Sequence, residues 1–136
     1  MSTIDLRSDT VTKPSAEMRQ AMAVSEVGDD VYGEDPSINE LQQKAPDLLG
    51  KEAGLLMASG TMSNLVAALT HCKRGDEIIM GDQAHMFWNE SAGASALAGA
   101  QLRLVANDPQ GRIDLDDLKN AIRAKGNVHM PPTTVI

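Results

Sequence analysis

The sequence predicts an α/β fold with a mainly parallel sheet and flanking helices. Short apolar runs at 54–58, 77–80, 101–106 and 133–136 alternate with longer segments whose apolar residues recur every three or four positions. Capping and stop residues bracket those longer segments, and strand-helix alternation with such connections is the pattern of a parallel sheet covered by helices. At 136 residues the chain is long enough for one domain with a real core and too short for two of ordinary size. We therefore expect a single domain over 1–136, with an N-terminal arm over about 1–14.

The elements follow in order. Ile4 to Val11 is extended but too polar and too poorly periodic for a core element, so it reads as a loop or arm. Pro14-Ser15 starts a helix in which Met18, Ala21 and Met22 share a face, ending near Ser25. Gly28 to Pro36 holds two glycines and four acids; its spacing does not fit an EF-hand calcium loop, and a solvated turn of specified conformation fits better. Asp35 caps the next helix with Pro36 at its first position. Its stripe is Ile38, Leu41, Ala45, Leu48 and Leu49, Pro46 should kink it, and Gly50 stops it.

Gly54 to Ala58 reads as a buried strand leading into Ser59-Gly60-Thr61, which opens a helix carrying Met62, Leu65, Val66, Leu69 and Cys72. Lys73, Arg74 and Gly75 close that helix. Glu77 to Met80 is the next strand, Ser91 to Ala98 a short Ala-rich helix, Gln101 to Ala106 a strand and Asn107 to Gly111 a turn. Asp114 caps a helix with Leu115, Leu118 and Ile122, and Thr133 to Ile136 is a final strand.

Composition narrows the function. Twelve basic against nineteen acidic residues give a net charge of −7, which offers no footprint for nucleic acid or an anionic membrane. One cysteine, Cys72, allows no internal disulfide and no multi-cysteine zinc cluster, and the N-terminus lacks a signal-peptide core, so a reducing cytoplasm is the expected compartment. No apolar run approaches the ~18 residues of a membrane span. Signatures of P-loop NTPases, dinucleotide-binding folds and esterase elbows are absent.

The segment around Ser59, Gly60 and Thr61 offers free amides and a hydroxyl at a helix start, where the macrodipole favours an anion. Taken alone it reads more readily as an ordinary Ser/Thr cap, since such caps occur on most helices. In a parallel sheet ligands collect beyond the C-terminal strand ends, so this cup and His85 should face one cleft. His85, followed by Phe87 and Trp88, is the candidate to stack on a flat group. His71 reads as a surface residue, and His129 as either a loop residue or a substrate contact. The three histidines show no metal-ligand spacing, and no metal site is expected.

Four blocks in order, Asp5 to Pro14, Gly28 to Pro36, Ser59 to Asn64 and Ala84-His85, resemble the N-terminal part of the low-specificity L-threonine aldolases. These are pyridoxal-phosphate enzymes of the aspartate-aminotransferase-like fold. The resemblance implies an incomplete N-terminal part of such a large domain, hence a partial domain. It implies that Ser59, Gly60 and Thr61 hold the cofactor phosphate, that His85 stacks on the pyridine ring and that Ser8 binds the substrate carboxylate. His129 matches the family histidine near the substrate hydroxyl and is implied with His85 in catalysis, and Glu90 lies where the family carries a carboxylate close to the site. The implied reaction cleaves threonine or allo-threonine, a β-hydroxy amino acid, to glycine and acetaldehyde, in a homo-oligomer that is tetrameric in the family.

The family's Schiff-base lysine has no counterpart here, since Lys13, Lys44, Lys51, Lys73, Lys119 and Lys125 lie in arm, helix, turn or helix-end contexts. Pro132 stands where the family often has arginine. The expected chain is thus a partial enzyme, inactive alone. The alternatives are a non-catalytic phosphate-binding or assembly module and another pyridoxal-phosphate β-eliminating lyase.

Overall fold

The computed structural model describes residues 4–136 and contains two compact units, one ending at Leu56 and one running from Met57 to Ile136. The first three residues of the expected arm lie outside the described residues.

In the first unit, capping residues fix the helices more than burial does. Ser8 caps a single 3-10 turn, Asp9–Val11, its Oγ accepting from the Thr10 N–H at 3.2 Å. Helix α1, Ala16–Val24, is capped by Ser15, whose Oγ accepts from the Met18 N–H. None of its residues is buried, and the expected face of Met18 and Met22 is exposed among the described residues. Helix α2, Pro36–Leu49, starts at the Asp35 cap and ends at Gly50 in the left-handed conformation, as the sequence predicts.

The inner side of α2 differs from the expected stripe. Leu41, Leu48 and Leu49 are exposed, whereas Pro46 is buried and Gln42 half-buried. Pro46 gives the Gln42 carbonyl no helical N–H, yet α2 continues across it as one helix. The chain crosses at that spot: a Cβ on Gly54 would stand 3.0 Å from Pro46 Cδ and 3.1 Å from the Gln42 carbonyl oxygen. Gln42 Oε1 also accepts from the Leu56 N–H at 2.8 Å.

That bond accounts for a correction. The predicted buried strand at Gly54 to Ala58 is not a strand, and Leu55 is 72% exposed. An apolar run becomes a strand only where a neighbouring strand completes its main-chain hydrogen bonds. Among the described residues none does, and the amide of Leu56 goes to a helix side chain instead.

The Gly28 to Pro36 turn is tightly specified. Asp35 uses both carboxylate oxygens, accepting from the Ile38 N–H at 2.9 Å and the Gly28 N–H at 3.0 Å. A Cβ on Gly28 would lie 2.2 Å from the Glu34 carbonyl oxygen, a backbone atom that cannot swing aside. Gly28→Ala is expected to cost about 2 kcal/mol or more of this unit's stability, by overpacking. Gly33→Ala, which meets open space at φ +69°, should cost only the ~1 kcal/mol of a left-handed alanine. Urea unfolding of the two variants decides the matter, and equal losses would rule out the close approach as the cause.

The backbone N–H groups of Ile38 and then Gly28 hold the Asp35 carboxyl below the usual carboxylate range. Because the folded-state value is the lower one, this contribution is fully present above the ordinary carboxylate range. It is lost as pH falls through the depressed value.

The second unit is the α/β part. Its three strands, β1 (Glu77–Gly81), β2 (Gln101–Val105) and β3 (Thr133–Val135), form a parallel sheet in the order β2-β1-β3. Central β1 alternates its faces. Ile78 packs with Ala68, Ala94, Ala98 and Ala100, and Ile79 packs with Val105 and Ala121 on the other side. The first layer comes from α3 (Gly60–His71) and α5 (Gly93–Ala96), the second from α6 (Leu115–Ala121). Alanines let these helices approach the sheet closely.

The helices α3 and α6 form where the spacing predicts them, and their inward-facing residues differ in part from the predicted stripes. On α3 the inner residues are Leu65, Ala68 and Cys72, while Met62 and Leu69 are exposed. On α6 they are Leu118 and Ala121, with Leu115 and Ile122 exposed. At the N-terminal strand ends Glu77 is fully buried, meeting Arg123 at 2.8 Å, Thr133 Oγ1 at 3.0 Å and Gln101 Nε2 at 3.3 Å. This network pins all three strands together.

Candidate active site

The C-terminal end of β1 leads through Gly81 to Ala84 into a short helix, α4 (His85–Trp88). Gly81 is required there: a Cβ would fall 2.2 Å from Asn107 Oδ1. Asn107 itself binds the Gln83 N–H, the Gly111 carbonyl and Asp82 Oδ1. Trp88 donates from Nε1 to the Asp82 carbonyl at 2.6 Å and meets Phe87 edge to face at 5.2 Å. These contacts fix where α4 begins, and therefore where His85 stands.

Ser59, Gly60 and Thr61 form the N-terminal turn of α3. Ser59 is the cap, its Oγ accepting from the Met62 N–H at 3.1 Å. The Gly60 and Thr61 amides have no acceptor among the described residues, and a Cβ on Gly60 would meet nothing within 4 Å. So the ordinary cap is present, and two amides beside it remain open to an anion.

One turn further along α3, Asn64 donates from Nδ2 to Glu90 Oε1 at 2.6 Å. The same oxygen meets His85 Nδ1 at 2.8 Å. The Glu90 side chain is 3% exposed and that of His85 65% exposed. A buried carboxylate therefore joins the helix of the cup to the open imidazole. Thr61, Leu65, Met86, Glu90 and Leu97 line one small cavity, and Asn64, Met80, His85, Met86 and Val135 line a shallow pocket beside it. Neither pocket is lined by lysine or arginine.

A strained step follows Glu90. Ser91 and Ala92 have φ of 51° and 58°, the left-handed region that alanine avoids. Ala92→Gly relieves one of them and is expected to raise the urea-unfolding free energy by about 1 kcal/mol. A loss of stability would show that the left-handed turn carries no strain.

The remaining candidates stand elsewhere. His129 is exposed in the segment before β3, its N–H donating to Asn127 Oδ1. Since Glu77 pairs with Thr133 in a parallel register, His129 lies toward the N-terminal strand ends and His85 beyond the C-terminal ones. Within this unit the two histidines are not brought together. Ser8 belongs to the first unit, where it caps its own turn. His71 is exposed at the last turn of α3. Among the described residues no group of three His, Cys, Asp or Glu side chains is placed to hold a metal ion. Asn64 has no signature in the sequence, because an asparagine inside a helix signals nothing until its partner, 26 residues on, is known.

A family model for beta-eliminating lyases matches residues 5–136. The chain belongs to the beta-eliminating lyase family. It is 50% identical over 135 residues to an uncharacterized Caenorhabditis elegans protein, covering 99% of this chain and 32% of that one. It is 44% identical over 138 residues to low-specificity L-threonine aldolase 1 of Arabidopsis thaliana, covering 100% of this chain and 38% of the relative. With the low specificity L-threonine aldolase of Escherichia coli K12 it shares 44% over 133 residues, 98% of this chain and 40% of the relative. This family member thus spans 32% to 40% of the length of these relatives. Its resemblance to threonine aldolases extends over nearly the whole chain. No helix among the described residues is long and apolar enough to cross a membrane.

Proposed function

We propose that this chain carries the phosphate end and ring face of a pyridoxal-phosphate site of threonine-aldolase type, serving retro-aldol cleavage of threonine or allo-threonine to glycine and acetaldehyde. The observation that carries the proposal is the hydrogen-bonded link from α3 through Asn64 and Glu90 to His85, beside two unsatisfied helix-start amides. The residues present fit the group. Gly60 and Thr61 would donate their amides to the phosphate with the Ser59 hydroxyl beside them, and His85 would lie against the ring. Bound there, the cofactor supplies the electron sink for the pair released when Cα–Cβ breaks.

The chain's own residues hold and orient. Glu90 takes the Nδ1 side of His85, leaving the rest of the ring open to a flat ligand. A base for the β-hydroxyl proton is assigned to His129, and the substrate carboxylate to Ser8, both on the resemblance. Because His129 stands toward the other end of the parallel sheet from His85, its part in one reaction calls for a second copy of the chain. That accords with a homo-oligomer, which we place in the cytoplasm.

A helix terminus contributes only about 0.3–2 kcal/mol toward an anion. Without a basic side chain in either pocket, phosphate binding by the chain alone should be weak. The test is therefore a nitrogen-15 NMR titration with pyridoxal phosphate, and with pyridoxal as the phosphate-free control. Pyridoxal phosphate should move the Gly60 and Thr61 amides and the His85 ring together, and pyridoxal should spare the two amides. Shifts confined to other residues would overturn the assignment. The placement of the lysines favours a second reading, a phosphate-binding module without chemistry: Lys73 lies just past α3, Lys119 pairs with Asp116, and Lys125 lies in the exposed segment before β3.

A further inference from the structure

We infer that Asn64 is a positioning residue for His85, setting the protonation pattern and the orientation of its ring through the carboxylate of Glu90. The inference rests on the cofactor-site reading only for its catalytic meaning, because the hydrogen-bond chain exists whether or not a cofactor binds.

Glu90 is buried and among the described residues has no lysine or arginine partner; His85 is its only titratable contact. A buried carboxylate is costly unless its oxygens are hydrogen-bonded. Two nitrogens converge on the single atom Oε1, Asn64 Nδ2 at 2.6 Å and His85 Nδ1 at 2.8 Å. Asn64 donates its amide N–H there, and a carboxylate anion is acceptor-only, so beside that anion the second nitrogen, His85 Nδ1, is assigned as a donor too. The proton of a neutral His85 therefore sits on Nδ1, and Nε2 faces outward with a free lone pair.

Both hydrogen bonds thus point at the carboxylate, one from α3 and one from the imidazole. The left-handed pair Ser91 and Ala92 follows Glu90, and the Gly93 N–H closes the turn on the Glu90 carbonyl at 3.0 Å. The turn thus fixes the Glu90 backbone, while Asn64 and His85 meet its carboxylate. Asn64 also lies one helical turn beyond Gly60, so it ties the ring face to the same rigid helix whose first amides are open. Remove the asparagine amide, and Oε1 keeps one partner while the carboxylate gains freedom to rotate away from Nδ1.

Ring nitrogen-15 shifts of His85 in the 136-residue chain, read at a pH where the ring is neutral, test this. The wild-type ring should be mainly the Nδ1–H form. Asn64→Leu, which keeps size and removes the donor, should shift the tautomer ratio toward Nε2–H by about fivefold, the population equivalent of one hydrogen bond. Asn64→Gln keeps an amide donor and should restore a ratio near wild type. Leu65→Ala, one position along α3 and lining the neighbouring cavity, should lower stability yet leave the ratio unchanged, which separates positioning from general loosening. Should Asn64→Leu fail to fold, the wild-type chain alone decides: the Asn64 side-chain amide resonance should move as His85 is titrated.

A wild-type ring mainly in the Nε2–H form, a ratio indifferent to Asn64→Leu, or an Asn64 amide that does not follow His85 would each overturn the inference. The two readings fail separately. A ratio that responds to Asn64 in a chain that ignores pyridoxal phosphate keeps the positioning role and removes the cofactor site, and the converse result does the opposite.

Discussion

Threonine incubated with the purified 136-residue chain and pyridoxal phosphate is expected to release no glycine beyond the rate of free cofactor. Borohydride treatment should leave no pyridoxyl group confined to one lysine. The reason lies in the chain's own amines. All six lysines are exposed, Lys44 is paired with Glu40 and Lys119 with Asp116, and no lysine lines the pockets at His85. Covalent capture of the cofactor requires a nucleophilic amine held against it, and turnover requires the electron sink to stay in place while bonds break. Enzymes typically exceed the uncatalysed rate by about 10⁶-fold or more, and that whole factor should be missing here. Mass mapping with a glycine assay is the measurement. A single-lysine adduct accompanied by glycine release would overturn the expectation, together with the module reading that the lysine placement favours.

Arg123→Met is expected to cost the second unit about 3–5 kcal/mol, because it strands a carboxylate inside the protein. Glu77 is fully buried and the Arg123 side chain only 18% exposed, with Nη2 and Nε both 2.8 Å from Glu77 Oε2. Thr133 and Gln101 would still donate to Glu77, but neither brings a positive charge. Pairing Arg123→Met with Glu77→Gln removes the orphaned charge and should recover most of the loss, because the cost belongs to the unpaired ion more than to the absent arginine. Urea unfolding of the single and double variants measures both. A single variant within about 1 kcal/mol of wild type would mean that water reaches Glu77 in solution and that the network is not dry.

Local chemistry made much of the second unit readable. Ser59 and Asp114 cap their helices where the sequence places them, and the runs at Glu77, Gln101 and Thr133 are strands. A cap depends on a side chain reaching an amide two or three residues away, so a short window of sequence contains the whole interaction. Alternation within β1 likewise assigns Ile78 and Ile79 to opposite faces before any partner is known. Where structure and sequence pattern differ, the difference lies in the partner. Gly54 to Ala58 has the composition of a strand and, among the described residues, no neighbouring strand to pair with, while Met62 and Leu69 have helical spacing on an exposed side of α3.

The candidate site divides along the same line. The helix-start amides at Gly60 and Thr61 and the position of His85 just past a strand end follow from sequence, since both depend on the order of short elements. That His85 shares one buried oxygen with Asn64, and that His129 stands toward the opposite end of the sheet, was decided by the tertiary structure alone. The physical reason is range. Caps, turns and strand alternation are set by atoms a few residues apart, whereas a buried carboxylate finds its donors only after the sheet register and the packing of α3 have brought distant segments together.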